Sequence, residues 1–466
     1  MQNYLIKDIS IVNEGRIQHG DVLITNGRIE RILPQLSRMN VSVKEIDGRG
    51  KFLLPGVIDD QVHFREPGLT HKATIYTESK AGVAGGVTSF MEMPNTVPPA
   101  FTQELLEDKY RIASQTSLAN YSFYMGTSNT NADEVLKTNA KKNEVCGIKI
   151  FMGSSTGNLL VDNPSTLDKI FSESEILIAT HCEDEHIIKK NFEKLKAEEK
   201  QLSAADHPII RSDKACYESS LRAIRMATKY NTRLHILHIS TAKELPLFGN
   251  TIPLKQKRIT AEVCVHHLHF TSNDYSRLGN LIKCNPAIKE PDNRDSLWKA
   301  LHDNRLDVIA TDHAPHLLEE KGFLRNADGQ LIPLPDGHDK SLTYERAHAG
   351  LPLVQHSLLL MLYFHKQGRI SLELIAEKMS HAVAECFQIK ERGFIREGYF
   401  ADLVIIDLNR PITINKDNIW YKCGWSPLEN MEMPASITHT FVNGNLVLEN
   451  GNWNESNRGQ RLYFER

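Results

Sequence analysis

The stretch ILIATHCED (176–184), DKACYESSLRAIRMATKY (213–230) and LHILHIS (234–240) decides the fold. The first and third segments are short and apolar, as buried strands are, whereas the middle one has the apolar spacing of an amphipathic helix. A strand, a helix and a second strand in this order predict two parallel strands joined by a crossover helix. We therefore expect a parallel sheet in this part of the chain.

The same alternation extends on both sides of this stretch, where six more apolar segments have the length of buried strands. They are GVIDDQVHF (56–64), TSFMEMP (88–94), YSFYMGT (121–127), GIKIFM (147–152), AEVCVHHLHF (261–270) and LDVIATDHAP (306–315). Together they make eight strand-and-helix units. This number over this length predicts an α/β fold, a closed (β/α)8 barrel of the TIM type rather than an open sheet.

The two ends of the chain differ from the middle in their pattern of apolar and turn-forming residues. DVLITNGRIERIL (21–33) and ITHTFVNGNLVLENG (437–451) both carry an Asn-Gly pair between apolar, alternating segments. Such a pair is a strong signal for a tight β-hairpin. We predict that both termini meet in one small β-sandwich. The predicted domains are the barrel, residues 55–394, and the sandwich, residues 1–54 and 395–466.

A long polar segment follows the last predicted barrel strand. It reads HLLEEKGFLRNADGQLIPLPDGHDKSLTYE (316–345) and is punctuated by Gly and Pro. Because it begins where a strand ends, we predict a mobile loop over the site rather than a linker between domains.

Composition limits the classes of function. The 466 residues are 41% hydrophobic and 24% charged, which allows a large core, and the net charge of -3 gives no reason to expect nucleic acid or membrane as a partner. No apolar run approaches the roughly 18–20 residues of a membrane span, and the N-terminus lacks the pattern of a signal peptide. The seven scattered cysteines form no CxxC pair, as is typical of reduced thiols. We expect a cytoplasmic protein that acts on a small molecule.

Polar side chains end several of the predicted barrel strands. Gln61, His63 and Arg65 alternate along the first strand, so the period of two places them on one face. The other strand-end groups are Lys149, His181, His238, Asp312, His313 and His316. In a barrel of this kind the reactive groups gather where strands end and the following loops begin. We therefore expect one site at this end of the barrel.

The residue types at these strand ends favour a metal. A single strand-end histidine is more often a hydrogen-bonded structural group, and a single lysine is typical of a snorkelling side chain. Imidazoles and carboxylates together are ligands of hydrolytic zinc, with one position left for water. A lysine among apolar residues near metals can also carry a carbamate formed with CO2, which replaces a buried cation by a carboxylate. Because five strand ends carry metal-competent residues, we predict a metal site there, whereas His266, His267 and His269 have no predicted role beyond polar strand-end groups.

Eight motifs occur in an order that resembles the amidohydrolase superfamily, and within it the dihydroorotase family in its longer, class I form. They are VIDDQVHFREPG, MPNT, IKIFMGSSTG, ATHCED, LHIST, EVCVHHL, KCNPAIKE and ATDHAPH. GFIREGYFADLVIID and SPLEN near the C-terminus resemble segments of the same family, so the resemblance covers nearly the whole chain. It implies reversible hydrolysis of the cyclic amide of (S)-dihydroorotate to N-carbamoyl-L-aspartate in pyrimidine biosynthesis.

The resemblance also implies roles for the metal-binding residues. One or two zinc ions would be bridged by carboxylated Lys149, with His63 and Asp312 at the first ion and His181 and His238 at the second. Asp312 would be the catalytic acid/base as well. A hydroxide generated at the metal would attack the ring amide carbon, and Asp312 would pass the proton to the leaving nitrogen.

A second group of residues is similar to those that hold the substrate in this family. They are Arg65, Asn95, Asn285 and His316. Arg65 can bind the carboxylate of dihydroorotate with two parallel hydrogen bonds. The family also implies a homodimer.

Gln61 departs from the family pattern, whose first strand has His-x-His. A neutral amide oxygen is a poorer ligand for zinc than imidazole, so we expect the second position to take up metal first. One metal could suffice, with Gln61 hydrogen-bonding water. Alternatively, the chain has lost activity and survives as a binding protein, for example as a partner of the preceding carbamoyltransferase.

Other cyclic-amide hydrolases of the superfamily are a further alternative. Dihydropyrimidinase and allantoinase act on rings that lack the carboxylate with which Arg65 would pair. Arg65 therefore favours a dihydroorotase over both.

Overall fold

The computed structural model describes residues 2–35, 42–153, 159–198, 201–334 and 344–466. A parallel barrel holds the middle of the chain, and strands from both ends of the chain form one further sheet. These two units position the site.

Several strands precede the barrel and lie in the N-terminal part of the chain. They are β1 (Tyr4–Asn13), β2 (Arg16–Thr25), β3 (Arg28–Leu33), β4 (Lys44–Asp47) and β5 (Phe52–Pro55). The turn between β2 and β3 consists of Asn26 and Gly27, whose φ angles of 50° and 81° are the left-handed values that a tight hairpin requires. The hairpin that this Asn-Gly pair predicts is therefore confirmed.

Within the described ranges, nine parallel strands build the barrel. They are β6 (Val57–Val62), β7 (Val87–Glu92), β8 (Asn120–Phe123), β9 (Met125–Gly126), β10 (Ile148–Phe151), β11 (Ile178–His181), β12 (Leu234–Ile236), β13 (Ile259–Cys264) and β14 (Val308–Ala310). Only Tyr124 separates β8 from β9; β8 pairs with β7 and β9 with β10, so the two act as one strand. A bridge between Val62 and His313 closes the ring. The eight strands predicted from the sequence correspond to the strands of this barrel, except that the second half of AEVCVHHLHF (261–270) is not strand but the short helix α8 (Val265–His269). The apolar residues of so short a segment do not distinguish a strand from a helix.

Helices connect the barrel strands and cover the outside of the barrel. In the described part of the chain they are α1 (Ile75–Ala84), α2 (Gln103–Thr116), α3 (Ala132–Leu136), α4 (Pro164–Glu173), α5 (Glu185–Ala197), α6 (His207–Ile210), α7 (Asp213–Tyr230), α8 (Val265–His269), α9 (Tyr275–Leu278), α10 (Pro291–His302), α11 (Leu318–Lys321), α12 (Ser357–Lys366), α13 (Leu372–Ala376) and α14 (Ala382–Phe387). None of these helices combines the length and apolar character that crossing a bilayer requires.

Helix α7 shows how the sequence sets the barrel geometry. It buries Ala223 and Ala227, four residues apart, on the face that contacts β12. Asn231 ends the helix in the left-handed region at φ 53°, a conformation that Asn tolerates, and the chain then enters β12. The strand–helix–strand unit that the sequence predicts is therefore confirmed.

The polar segment 316–345 is more regular than the sequence predicts. It contains α11 and a hairpin of β15 (Phe323–Arg325) and β16 (Leu331–Pro333), while residues 335–343 lie outside the described residues. Arg325 pairs with Glu429 at 2.6 Å between Nη2 and Oε1, which ties the hairpin to the C-terminal region. Strands of three residues are too short to give a readable alternation, so the pattern predicted only a loop. Its mobility stays a prediction.

Further strands lie in the C-terminal part of the chain. They are β17 (Leu403–Asp407), β18 (Ile412–Thr413), β19 (Glu432–Met433), β20 (Ser436–Val442), β21 (Asn445–Glu449) and β22 (Asn452–Trp453). Of these, β17, β20, β21 and β22 complete the second sheet, whereas β18 and β19 pair with each other in a separate two-stranded sheet. The order β22-β21-β20-β17-β5-β1-β2-β3, with β4 beside β1, brings both termini into one sheet. β17 lies antiparallel to both β5 and β20, which makes it the link between the two ends of the chain.

The two Asn-Gly turns meet at this sheet. Gly444 lies in the turn between β20 and β21 at φ 72°, and a Cβ placed on it would lie 2.4 Å from the Cα of Gly27. Only glycine fits this approach. The sheet therefore fixes the termini against each other, whereas the predicted two-layered sandwich and its boundaries stay predictions.

Candidate active site

A cavity opens where the barrel strands end. Nine of the ten residues predicted for the site line it, namely Gln61, His63, Arg65, Asn95, Lys149, His181, His238, Asn285 and Asp312. Phe151, Ala314, Ala349 and Gly350 complete the wall. The tenth, His316, lies behind Arg65 and not in the wall. Its Nε2 is 3.1 Å from Nη2 of Arg65.

The backbone bends sharply at three of these residues. Arg65, His238 and Asp312 have φ angles of 69°, 40° and 49°, in the left-handed region. Residues with a side chain rarely adopt this region, which costs on the order of 1–3 kcal/mol each. Each bend comes within three residues after the end of a strand. Nothing in the sequence marked these bends.

His181 and His238 converge from neighbouring parallel strands. Nδ1 of His181 and Nε2 of His238 are 3.0 Å apart, and the two rings are nearly perpendicular. Burial lowers the pKa of both imidazoles, so both are neutral and carry the lone pair that a metal ligand needs. Two such nitrogens in contact fit a shared cation.

Glu183 and Arg211 lie behind His181, and no role was predicted for either residue. Oε2 of Glu183 lies 3.1 Å from Nε2 of His181, and Arg211 forms an ion pair with the same oxygen. Burial alone would raise the pKa of Glu183, but Arg211 and His181 hold it at about 2. A metal-binding imidazole usually turns its second nitrogen to a carboxylate, as His181 does here. The only available signal was the position of Glu183 two residues after His181.

The opposite wall of the cavity is built differently. His63 Nδ1 donates to Oδ1 of Asn95 at 2.7 Å, which leaves the lone pair of Nε2 facing Oδ1 of Asp312 at 3.1 Å. Two acceptors at this distance need a proton or a cation between them. Gln61 Nε2 donates to the same oxygen of Asp312 at 3.0 Å. Gln61 therefore offers its amide hydrogen to Asp312, and its oxygen points elsewhere.

Lys149 lies on β10 beneath these groups and is 1% exposed. Its Nζ is 4.6 Å from the ring centre of Phe151. Burial lowers the pKa of Lys149 to about 7. A large fraction of the amine is then neutral at physiological pH, and the neutral amine is the form that reacts with CO2.

Arg65 is a buried cation in the cavity wall. Its Nε donates to the carbonyl of Pro315 at 3.2 Å and its Nη2 contacts His316, whose Nδ1 lies 3.1 Å from Nζ of Lys72. Burial lowers the pKa of Arg65 to about 10, so it remains charged. Its hydrogen bonds within the described residues go to a carbonyl and an imidazole, and no carboxylate pairs with it there.

His313 is next to Asp312 in the sequence but does not line the cavity. Its Nε2 donates to Glu78 at 2.8 Å, and its Nδ1 accepts the backbone N–H of Leu353 at 2.9 Å. Both nitrogens are therefore used inside the fold. His313 holds the segment after β14 in place and has no free nitrogen for proton transfer.

Two compact groups of metal-competent side chains lie beside the predicted set. In the described residues they are Cys264, His266 and His267, and Asp60, His235 and Glu262, each with ligand atoms within 4.8 Å of one another. In the second group burial lowers the pKa of His235, but the two carboxylates outweigh it and raise the pKa to about 9. This group is therefore an imidazolium between two carboxylates, at 3.2 and 3.6 Å.

Comparison with known proteins places the chain in a family. The sequence profile of the Amidohydrolase family matches residues 52–447. The chain belongs to the amidohydrolase family, as its motifs predict. The dihydroorotase of Pyrococcus abyssi is 30% identical over 462 residues, with 97% of this chain and 96% of that protein covered. The dihydroorotase of Methanothermobacter thermautotrophicus is 30% identical over 444 residues, with 94% of each chain covered.

Relatives with other activities are similar as well. An allantoinase of Deinococcus radiodurans is 27% identical over 469 residues, with 98% of both chains covered. The solved structure of an L-hydantoinase (dihydropyrimidinase) from Arthrobacter aurescens has a TM-score of 0.88 at 25% identity and covers 97% of this chain and 98% of its own. The fold is thus shared by several cyclic-amide hydrolases, and the substrate must be argued from the cavity.

Proposed function

We propose that this protein is a dihydroorotase, which reversibly hydrolyses the cyclic amide of (S)-dihydroorotate to N-carbamoyl-L-aspartate in pyrimidine biosynthesis. The observation that carries the proposal is Arg65, a buried cation in the cavity wall without a carboxylate partner in the described residues. A guanidinium binds a carboxylate through two parallel hydrogen bonds. Dihydroorotate carries such a carboxylate, whereas the rings of dihydropyrimidines, hydantoins and allantoin do not.

Zinc fits the donor set of the cavity. The neutral imidazoles of His181 and His238 meet at 3.0 Å, and the lone pair of His63 faces Asp312. We infer that these four residues and carboxylated Lys149 hold one or two ions. Zinc held there would supply an activated water and polarise the amide carbonyl.

The side chains of the cavity have separate tasks in the reaction. Asp312 accepts the proton of the attacking water and returns it to the ring nitrogen that leaves. Arg65 and Asn285 orient the substrate, so that the amide carbon lies over the metal ligands. His316 supports Arg65 from behind. Asn95 orients His63 through its Nδ1 and also lies in the wall that the substrate contacts.

We also infer the domain organisation that the sequence predicts, with a barrel of residues 55–394 and a β-sandwich of residues 1–54 and 395–466. The pairing of β17 with β5 supports it, because it joins the two ends of the chain next to the first barrel strand. Leu53, Leu403 and Phe441 share one apolar core there.

A substrate panel tests the proposal. The protein, incubated with zinc and bicarbonate, is assayed with dihydroorotate, carbamoyl aspartate, dihydrouracil, hydantoin and allantoin. We expect turnover of the first two compounds only. Turnover of a neutral ring instead would identify another cyclic-amide hydrolase, and binding without turnover would identify a binding protein.

Arg65→Met makes the test specific to the carboxylate. Loss of one partner of a buried charge pair costs about 2–5 kcal/mol, so KM for dihydroorotate should rise at least about 30-fold while the metal content stays the same. Arg49→Met, an exposed arginine far from the cavity lining, is the matched control. A wild-type KM in Arg65→Met would show that Arg65 does not bind the substrate.

A further inference from the structure

Three side chains beside Gln61 form a compact buried group that the proposed reaction does not use. Cys264 is the last residue of β13, and His266 and His267 follow in the first turn of α8. Their ligand atoms lie within 4.8 Å of one another, and the side chains are between 0% and 3% exposed. We refer to these three residues as the Cys264 cluster.

His267 is oriented as a metal ligand is. Its Nε2 lies 3.1 Å from the carbonyl oxygen of Pro286 and donates to it. The ring hydrogen is therefore on Nε2, and Nδ1 carries a lone pair. That Nδ1 is buried and has no hydrogen-bond partner among the described residues. Metal-binding histidines typically donate their second nitrogen to a backbone carbonyl in this way.

His266 interacts with the backbone of Thr311, but this contact does not satisfy its ring as it would for a structural histidine. Both of its ring nitrogens are buried, and in the described part of the chain neither has a hydrogen-bond partner of normal geometry. A buried neutral imidazole leaves one donor and one acceptor to satisfy, and such groups are nearly always paired in folded proteins. The rings of His266 and His267 lie with their centres 4.2 Å apart, so both can reach one ion.

Cys264 adds a sulfur to these two imidazoles. Its thiol lies 3.3 Å from Oε1 of Glu262 and 3.9 Å from Oε1 of Gln61. Sulfur and imidazole nitrogen together are ligands that select zinc and similar ions over magnesium or calcium. The amide oxygen of Gln61 is on the cysteine side, while its amide hydrogen faces Asp312.

We propose that Cys264, His266 and His267 bind a divalent ion of the zinc class, at a site separate from the His181–His238 pair. The thiol loses its proton to solvent when the ion binds, so the site carries one thiolate and two neutral imidazoles. The three ligands leave one position open, as in other zinc sites with a water or an additional ligand. This ion lies beside Gln61 and supplies positive charge next to the wall in which Gln61 takes the place of a second imidazole.

Cobalt substitution tests the site, because a cysteine thiolate on Co²⁺ gives a sulfur-to-metal charge-transfer absorption that imidazoles and carboxylates do not. The metal-free full chain is titrated with Co²⁺. We expect this absorption in the wild type, its loss in Cys264→Ser, and its retention in the matched control Cys386→Ser. Cys386 is a buried cysteine in α14 and is not a member of the cluster.

The double variant His181→Asn/His238→Asn separates this site from the catalytic cavity. We expect this variant to keep the thiolate absorption and to lose the metal of the catalytic cavity. The test of the Cys264 cluster therefore does not depend on the proposed activity. The absence of the absorption in the cobalt-saturated wild type, or its survival in Cys264→Ser, would overturn the proposal.

A further variant covers the case in which Cys264→Ser does not fold, as judged by its thermal unfolding. His267→Gln keeps the thiol and removes one imidazole. We expect it to bind Co²⁺ at the thiolate site at least about tenfold more weakly, the lower end of what changes around a metal site produce. Unchanged affinity at that absorption would exclude His267 as a ligand and with it the cluster as a site.

Discussion

The two walls of the cavity offer a comparison within one active site. On one wall His181 and His238 present neutral nitrogens 3.0 Å apart, and Glu183 orients the first of them. On the other wall Asp312 receives the amide hydrogen of Gln61 on the same oxygen that faces His63. The first wall therefore offers its two imidazole nitrogens to a cation. On the second wall, the oxygen of Asp312 that could bind a cation already accepts a hydrogen bond from Gln61.

This difference shows that the number of candidate ligands does not by itself set metal affinity. A carboxylate oxygen that accepts an N–H has less of its lone-pair density free for a metal ion. An amide that donates to the ligand instead of coordinating also leaves one coordination position without a protein atom. We therefore expect the His181–His238 wall to bind metal first and the Gln61 wall to bind it weakly.

The same substitution on the two walls should give the largest contrast. His238→Asn removes half of the imidazole pair, so we expect loss of the tightly held ion and a fall in turnover of at least about 1,000-fold, since a metal supplies several kcal/mol to such a reaction. His63→Asn should retain one ion per chain. Metal analysis of both purified variants, together with dihydroorotate turnover, provides the measurement. Equal loss of metal in the His238→Asn and His63→Asn variants would show that the two walls do not differ in metal affinity.

Asp312→Asn tests the proton transfer on the second wall. The change keeps the shape of the side chain but removes its basic oxygen, so kcat should fall at least about 100-fold, the lower range for general acid–base catalysis. The tightly held ion on the other wall should remain. Steady-state kinetics and metal content check both expectations. A near-normal kcat would show that another group of the cavity transfers the proton. His313 is not a candidate, because Glu78 and the backbone occupy both of its nitrogens.

Glu183→Gln tests how much the carboxylate behind His181 contributes to metal binding on the first wall. The amide keeps the size of Glu183 but loses the charge that faces His181 and pairs with Arg211. Loss of such a supporting group typically weakens metal binding about 10–100-fold, and we expect a rise of this size in the zinc dissociation constant. Glu244→Gln is the matched control, because Glu244 is a buried carboxylate bound to Ser220 and Thr241. Equal effects of the two changes would point to general destabilisation.

Gln61→His should have the smallest effect on turnover and a clear effect on metal content. An imidazole replaces the amide donor, so the second wall gains a ligand and Asp312 loses one hydrogen bond. We expect metal content to rise from about one toward two ions per chain, with less than about a tenfold change in kcat, since one Lewis acid can both activate water and polarise the carbonyl. Two tightly held ions in the wild type as isolated would show that Gln61 does not weaken metal binding on the second wall.

Much of the fold follows from local sequence patterns. The eight barrel strands, the helix from Asp213 to Tyr230 and the Asn-Gly hairpins were all predicted, because each depends on the periodicity or turn chemistry of consecutive residues. The convergence of His181, His238 and Lys149 was predicted as well, since the carboxyl ends of parallel strands in a barrel meet at one face.

The folded chain decided what depends on distant residues. Arg211 reaches Glu183, His316 stands behind Arg65, and the amide of Gln61 turns its hydrogen to Asp312 and its oxygen toward Cys264. The sequence by itself determined the barrel, the hairpins and which strand ends carry metal-competent groups, because short-range periodicity and strand order fix them. Only the tertiary structure decided which nitrogen or oxygen of each group faces the cavity, because that choice depends on hydrogen-bond partners brought together by packing from far along the chain.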